Sequence, residues 1–179
     1  MNTQYLQPTL LAFACVFYAV AFLWSELRKH KLAVAGSVAL KNSHNKSLYK
    51  TDKAFRIFGV FFIFMIICYV TMPVIYKFFI PINSLDNPLL DAIGLLILNI
   101  SLVWIVVAQL DIDKELYKYA NGIGGNDNLQ SLQYAEKKLI SGLLIMFIGA
   151  VVTLSNIIGS ALVIVALIIY KKNFGASVK

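Results

Sequence analysis

The chain reads as an all-α integral membrane protein, a polytopic helix bundle of about five spans with the last two paired as a tight hairpin. Three observations predict this. Of its 179 residues 59% are hydrophobic, against roughly 45–50% in an ordinary soluble domain. The mean hydropathy is +0.75. The apolar residues are also gathered into runs long enough for a bilayer, with the charges lying between them. A single membrane domain over 1–179 follows.

The first span is expected over 8–24. Pro8 suits a first helical turn, where its missing N–H costs nothing. Tyr5 and Trp24 stand at interfacial positions. The segment 26–56 is polar and carries half of the chain's 16 Lys and Arg, opposed only by Glu26 and Asp52. The positive-inside rule makes it a cytoplasmic loop. Its apolar patch "LAVAGSVAL" either lies on the membrane surface or is a plain solvated loop.

The second span is expected over 57–80, with Pro73 kinking it because a backbone N–H is lost there. "PINSLDNP" then turns the chain outside. The third span is expected over 92–110. Asn99 lies near its middle, and a buried amide in lipid needs a partner, so Asn99 is expected to face another helix. A second cytoplasmic loop covers 111–138. Its "NGIGGNDN" is a flexible turn and not a phosphate loop, since no GK[ST] follows and no strand precedes it.

The last apolar run, from Leu139 to Tyr170, would be about 48 Å long as one helix, beyond a hydrocarbon core of roughly 30 Å. The interruption "TLSNIIGS" splits it into spans over 139–154 and 157–170, turning near Ser155 to Ser160. One steeply tilted helix is the alternative. The hairpin puts Lys171 and Lys172 inside and the N-terminus outside, in the cell (inner) membrane. Gly142, Gly149, Ala150, Ser155, Gly159, Ser160 and Ala161 provide small surfaces for close helix packing.

Several function classes drop out. The net charge is +7, but the basic residues flank spans, which argues for orientation and against nucleic acid. Cys15 and Cys68 form no CxxC and read as small buried hydrophobes. His30 and His44 stand apart in a lysine-rich segment, and no HExxH occurs, so no metal is expected. No charge lies at mid-span, which removes a charged ion path. No cleavable signal peptide is expected, as no basic residue precedes the first apolar run. No catalytic residue is assigned.

What remains is a border cluster where lipid meets water. Gln109, Asp111, Asp113, Glu115, Tyr117 and Tyr119 follow the third span; Tyr134, Glu136, Lys137 and Lys138 precede the hairpin. Gln109, Tyr117, Tyr134, Glu136 and Lys137 are the candidates for binding a cofactor. Interfacial anchoring by tyrosine and lysine is the favoured reading of the same residues.

"YKFFIPI", then "LLDAIGLLILNISLVWIVVAQLDI", then a polar segment and an apolar hairpin, resemble the isoprenylcysteine carboxyl methyltransferase family, which includes phospholipid methyltransferase relatives. The resemblance runs over roughly 55–173 and is carried mainly by 94–109 and the hairpin's position. It implies a helical scaffold that takes S-adenosylmethionine from the cytoplasm and a lipid or prenylated acceptor from the bilayer. The family's Gly-x-(Tyr/Phe)-Arg-x-x-Arg-(His/Asn)-Pro motif is replaced here by "LQYAEKKLISGLL", where Tyr134 and Gly142 match loosely. No arginine follows Arg56, and "YKKNFGASVK" lacks the family's Glu-Glu segment. These departures put catalysis in doubt. The expected function is lipid or partner binding on a methyltransferase-like scaffold. An active S-adenosylmethionine-dependent methyltransferase and a structural accessory subunit of a larger membrane complex are the alternatives. Membrane lipids and other membrane subunits are the partners expected.

Overall fold

The computed structural model describes residues 3–33, 46–82, 87–121 and 127–174. Among the described residues every long element is a helix. Five stretches are long and apolar enough to cross a membrane: Leu6–Arg28, Thr51–Thr71, Pro88–Lys118, Gln130–Leu154 and Ile157–Phe174. The chain is an all-α membrane protein.

The first span combines α1 (Thr3–Tyr18), a π turn (Ala19–Leu23) and α2 (Trp24–Ala33). The helix starts at Thr3, so Pro8 lies inside it, with its ring exposed, and not in the first turn. α3 (Lys46–Thr71) carries the second span. It does not continue, kinked, to Ile80 as expected. Proline disfavours the helical conformation at the residue before it, and Met72 has φ −134° and ψ 68°. The helix therefore stops at Thr71. α4 (Pro73–Tyr76) and a 3-10 turn (Lys77–Phe79) follow, and Ile80 is left-handed at φ 55°.

α5 (Pro88–Ala120) opens on an Asn-Pro start, where the Asn87 side-chain oxygen accepts from the Leu89 N–H at 3.0 Å. It runs ten residues past the expected end of the span. α6 (Asp127–Leu154) begins well before Leu139. The expected loop over 111–138 is thus helical over 111–120 and 127–138. Acids and lysines mark where a helix leaves hydrocarbon, not where it ends. Here Lys118 pairs with Glu115 at 2.8 Å along one helix, and Lys138 pairs with Asp111 at 2.7 Å across two. Most of "NGIGGNDN", almost all of "LAVAGSVAL", and His44 lie outside the described residues.

The hairpin expectation holds, with a turn shorter than Ser155–Ser160. Only Ser155 (φ 44°) and Asn156 separate α6 from α7 (Ile157–Phe174). The segment after α4 clasps this tip. Ile82 N–H donates to the Ser155 carbonyl at 2.7 Å, and Ile157 N–H to the Ile80 carbonyl at 3.2 Å, forming a small antiparallel bridge. Tyr76 Oη donates to the Leu154 carbonyl. Buried Asn156 donates to Tyr76 Oη at 3.3 Å and accepts from the Gly159 N–H at 2.6 Å. Tyr76 lies outside the five spans, and burial pushes its phenol up to about 12.

α6 is the centre of the bundle: 61% of its span window is buried, against 17% for α7. Phe147 of α6 stacks on Phe62 of α3 at 4.8 Å between centroids and meets Phe55 at a tilt, 5.6 Å away. The α5–α6 pair is the most extensive contact, and glycine makes it possible. A Cβ at Gly149 would stand 3.1 Å from the Leu98 nitrogen, and one at Gly142 would stand 2.9 Å from the Trp104 and Ile105 side chains. On the other helix, a Cβ at Gly94 would stand 2.7 Å from the Thr153 nitrogen. Backbones approach closely where side chains are missing, which is how dispersion holds helices together in lipid.

Two sequence expectations about polar and sulfur groups need adjustment. Asn99 faces no other helix of its own chain among the described residues: it is exposed, and its Nδ2 donates to the Leu95 carbonyl one turn back at 2.9 Å. Cys68 is buried as expected, but Cys15 is exposed, on an outward face of α1.

Candidate functional site

The five-residue π turn sets up the polar end of the bundle. Within it the Trp24 N–H donates to the Ala19 carbonyl, one residue further back than in an α-helix. The Val20 carbonyl meets α5, where Gln109 Nε2 donates to it at 3.4 Å. Gln109 is fully buried.

Beyond the π turn, Trp24 and Arg28 lie four residues apart on α2. Gln109 and Asp113 lie four apart on α5. Residues at this spacing share one helix face, so two pairs meet across the helix interface. Trp24 Nε1 donates to Asp113 Oδ2 at 2.7 Å, and Arg28 Nε to Asp113 Oδ1 at 2.5 Å. Arg28 Nη2 donates to both the backbone carbonyl and the side-chain oxygen of Gln109. The planar fork of arginine lets Nε serve Asp113 while Nη2 serves Gln109, two residues reached from two nitrogens of one plane.

A second set adjoins the first. Arg56 Nη1 donates to the buried Ser25 Oγ at 2.8 Å, and Arg56 Nε pairs with Asp52 Oδ2 at 2.8 Å. Half-buried Glu136 stands in the field of Arg28, Arg56 and Asp52. Asn173 Nδ2 donates to Thr51 Oγ1 at 2.6 Å, tying the end of α7 to α3. All of these groups lie at one end of the bundle, opposite the hairpin tip.

The candidates read from sequence do not converge. Gln109 is locked in the arginine knot and Glu136 lies beside it. Tyr134 and Tyr117 point outward, 72% and 69% exposed. Lys137 lies over the Phe174 ring, 5.6 Å from its centroid. Lys138 sits 5.8 Å from the Trp104 ring, and its carbonyl accepts from Trp104 Nε1 at 3.1 Å. Glu115 Oε2 is buried with no hydrogen-bond partner among the described residues.

Sequence reasoning missed Trp24, Ser25, Arg28, Asp52 and Arg56. A signal was present: the chain has only two arginines, and both sit in this knot. A cleft beside it is lined by Ala21, Phe22, Asp52, Phe55, Arg56, Gly59, Leu139 and Leu143. Its free interior of about 10 Å³ holds roughly one water. That is far less than a nucleoside or a lipid headgroup requires. Among the described residues, no three His, Cys, Asp or Glu side chains are grouped as metal ligands. None of the protein-family models, curated proteins or solved structures compared with this chain matches it.

Proposed function

We propose that this chain is a non-enzymatic membrane protein that acts by binding, presenting its outward helix faces to lipid or to another membrane protein. One observation carries the reading: Gln109, the one fully buried residue among the border candidates for a cofactor, and Asp113 one turn on are both bonded within the chain, to Arg28, Trp24 and Val20. Gln109 spends its side-chain oxygen on Arg28 and its amide on Val20. Asp113 spends both oxygens on Arg28 and Trp24. Transfer chemistry rests on donor and acceptor groups being held open and aligned, and a knot closed on itself offers neither. The basic end belongs on the cytoplasmic side of the cell membrane by the positive-inside rule.

A methyltransferase of the isoprenylcysteine carboxyl methyltransferase type is the second reading. It is favoured by the order of a long span, a short connection and an apolar hairpin, and it requires the knot to open. Isothermal calorimetry with the purified full chain and millimolar S-adenosylmethionine separates the two. Absence of heat beyond dilution is expected. Saturable heat at one cofactor per chain, lost on Gln109→Leu, would overturn the binding-only reading.

A further inference from the structure

The outward face of α5 carries a feature that lipid cannot satisfy. Ala92, Leu96, Asn99, Val103, Val106 and Leu110 recur at alternating four- and three-residue steps, which places them in one stripe. All are exposed except Val106, which is partly so. Five are apolar and need nothing but hydrocarbon. Asn99 is different. It lies about 16 Å along the helix from Pro88 and about 18 Å from Asp111, near the middle of the span. Among the described residues its Nδ2 makes one bond, to its own helix, and its Oδ1 accepts none. An amide with an open acceptor and a spare N–H is costly in hydrocarbon, and contact with another polar group relieves that cost.

We infer that the α5 stripe docks a second copy of this chain, with the two Asn99 amides bonded to each other at the centre. This rests on the binding reading above and names its partner. Depth and chemistry both select a second copy. Copies inserted in one orientation hold Asn99 at one depth, so a two-fold axis along the membrane normal brings the two amides together. An amide is donor and acceptor at once, so the pair satisfies both sides, as an isologous interface requires. The 3.5-residue step of the stripe is the repeat that two parallel helices share when they pack with a left-handed crossing. A single polar residue in such a seam fixes register and partner number.

The test uses the full chain in phosphatidylcholine–phosphatidylglycerol liposomes, with the native cysteines replaced by Cys15→Ser and Cys68→Ala. Dimerisation is followed by single-molecule photobleaching across a range of protein-to-lipid ratios. Oxidative crosslinking is expected for Leu96→Cys and Val103→Cys, and not for Ile164→Cys on α7. Asn99→Leu should weaken the dimer roughly threefold to thirtyfold, while Asn99→Gln should retain part of the affinity. Among the described residues Asn99 bonds only its own helix, so neither substitution should alter folding, which thermal unfolding of the monomer in detergent checks. Equal association of Asn99→Leu and wild type, crosslinking independent of face, or a wild type that stays monomeric at every ratio would each overturn the inference. Because cofactor binding is read by calorimetry, a monomer that binds no S-adenosylmethionine refutes the dimer alone. A dimer that binds it refutes the binding-only reading alone.

Discussion

Replacing Arg28 by methionine keeps most of the side chain's volume and removes every hydrogen bond it makes. Three acceptors then lose a donor: Asp113 Oδ1, the Gln109 carbonyl and Gln109 Oε1. The Asp113 side chain is 39% exposed and keeps Trp24 as a donor, so water and the indole limit its loss to about 1 kcal/mol. Gln109 is fully buried, and water cannot replace what Arg28 supplied to its side chain. An unsatisfied buried acceptor costs about 1–3 kcal/mol. Arg28→Met should therefore destabilise the fold by about 2–4 kcal/mol. Gln109→Leu removes the acceptor itself and leaves the Arg28–Asp113 pair, so it should cost about 1 kcal/mol. The double variant should cost less than the two singles together, with a coupling of about 1–2 kcal/mol. Reversible unfolding in mixed micelles, followed by circular dichroism, measures all three. Additivity within about 0.5 kcal/mol would mean that Arg28 and Gln109 act independently, and the knot described here would be wrong.

Gly94→Val should cost about 1–3 kcal/mol by forcing α5 off α6, because its Cβ would stand 2.7 Å from a backbone nitrogen. Gly59→Ala, whose Cβ would meet ring carbons at 3.6 Å, should be nearly neutral; melting temperatures in one detergent compare them. Tyr76→Phe should cost about 1–2 kcal/mol by leaving the Leu154 carbonyl without its side-chain donor. The Tyr76 phenol is raised from 10.0 to about 12 by burial, so its stabilising effect is complete below about pH 10 and is lost as pH rises toward 12. The stability difference between wild type and Tyr76→Phe should shrink only in that window, and a difference that shrinks between pH 7 and 9 would refute the assignment. For orientation, a membrane-impermeant thiol reagent added outside intact cells should label Asn87→Cys and spare Ser43→Cys, in a background without the native cysteines. The reverse pattern would invert the protein.

The five spans were legible because the bilayer imposes a length, and hydropathy reports length directly. The hairpin was legible for the same reason: the run from Leu139 to Tyr170 exceeds one crossing, and a polar "SN" offers a place to turn. Helix ends were not legible, because two different boundaries were being read as one. At Pro73 a backbone boundary falls inside an apolar run, so a span expected to reach Ile80 ends at Thr71. At Leu110 a polarity boundary falls inside a continuous helix, so a predicted loop proves to be two more turns and beyond. Asn99 was expected to face another helix, and among the described residues no helix of its own chain meets it: a helical amide can bond the carbonyl one turn back and remain on the outside of the bundle.

The polar knot at the end of the bundle was half legible, and the missing half has one cause. Counted as charges, Arg28 and Arg56 are simply two of 16 basic residues, read for orientation alone. Counted as hydrogen-bonding shapes, they differ from the 14 lysines. An ammonium close to the membrane surface is strongly hydrated and can move toward water, whereas a guanidinium is weakly hydrated and can serve several acceptors in one plane. Where a buried Gln side chain, a backbone carbonyl and a carboxylate share one corner, only arginine fits all three. The scarcity of arginine in a lysine-rich chain is therefore a local structural signal as well as a compositional one. The same logic separates Gln109 from Asn99. Both are amides in the third span. Gln109 lies where the π turn and Arg28 meet it with complementary groups, and its bonds close within one molecule. Asn99 lies where, among the described residues, the fold presents only its own helix, which leaves its oxygen open on the outward face of α5.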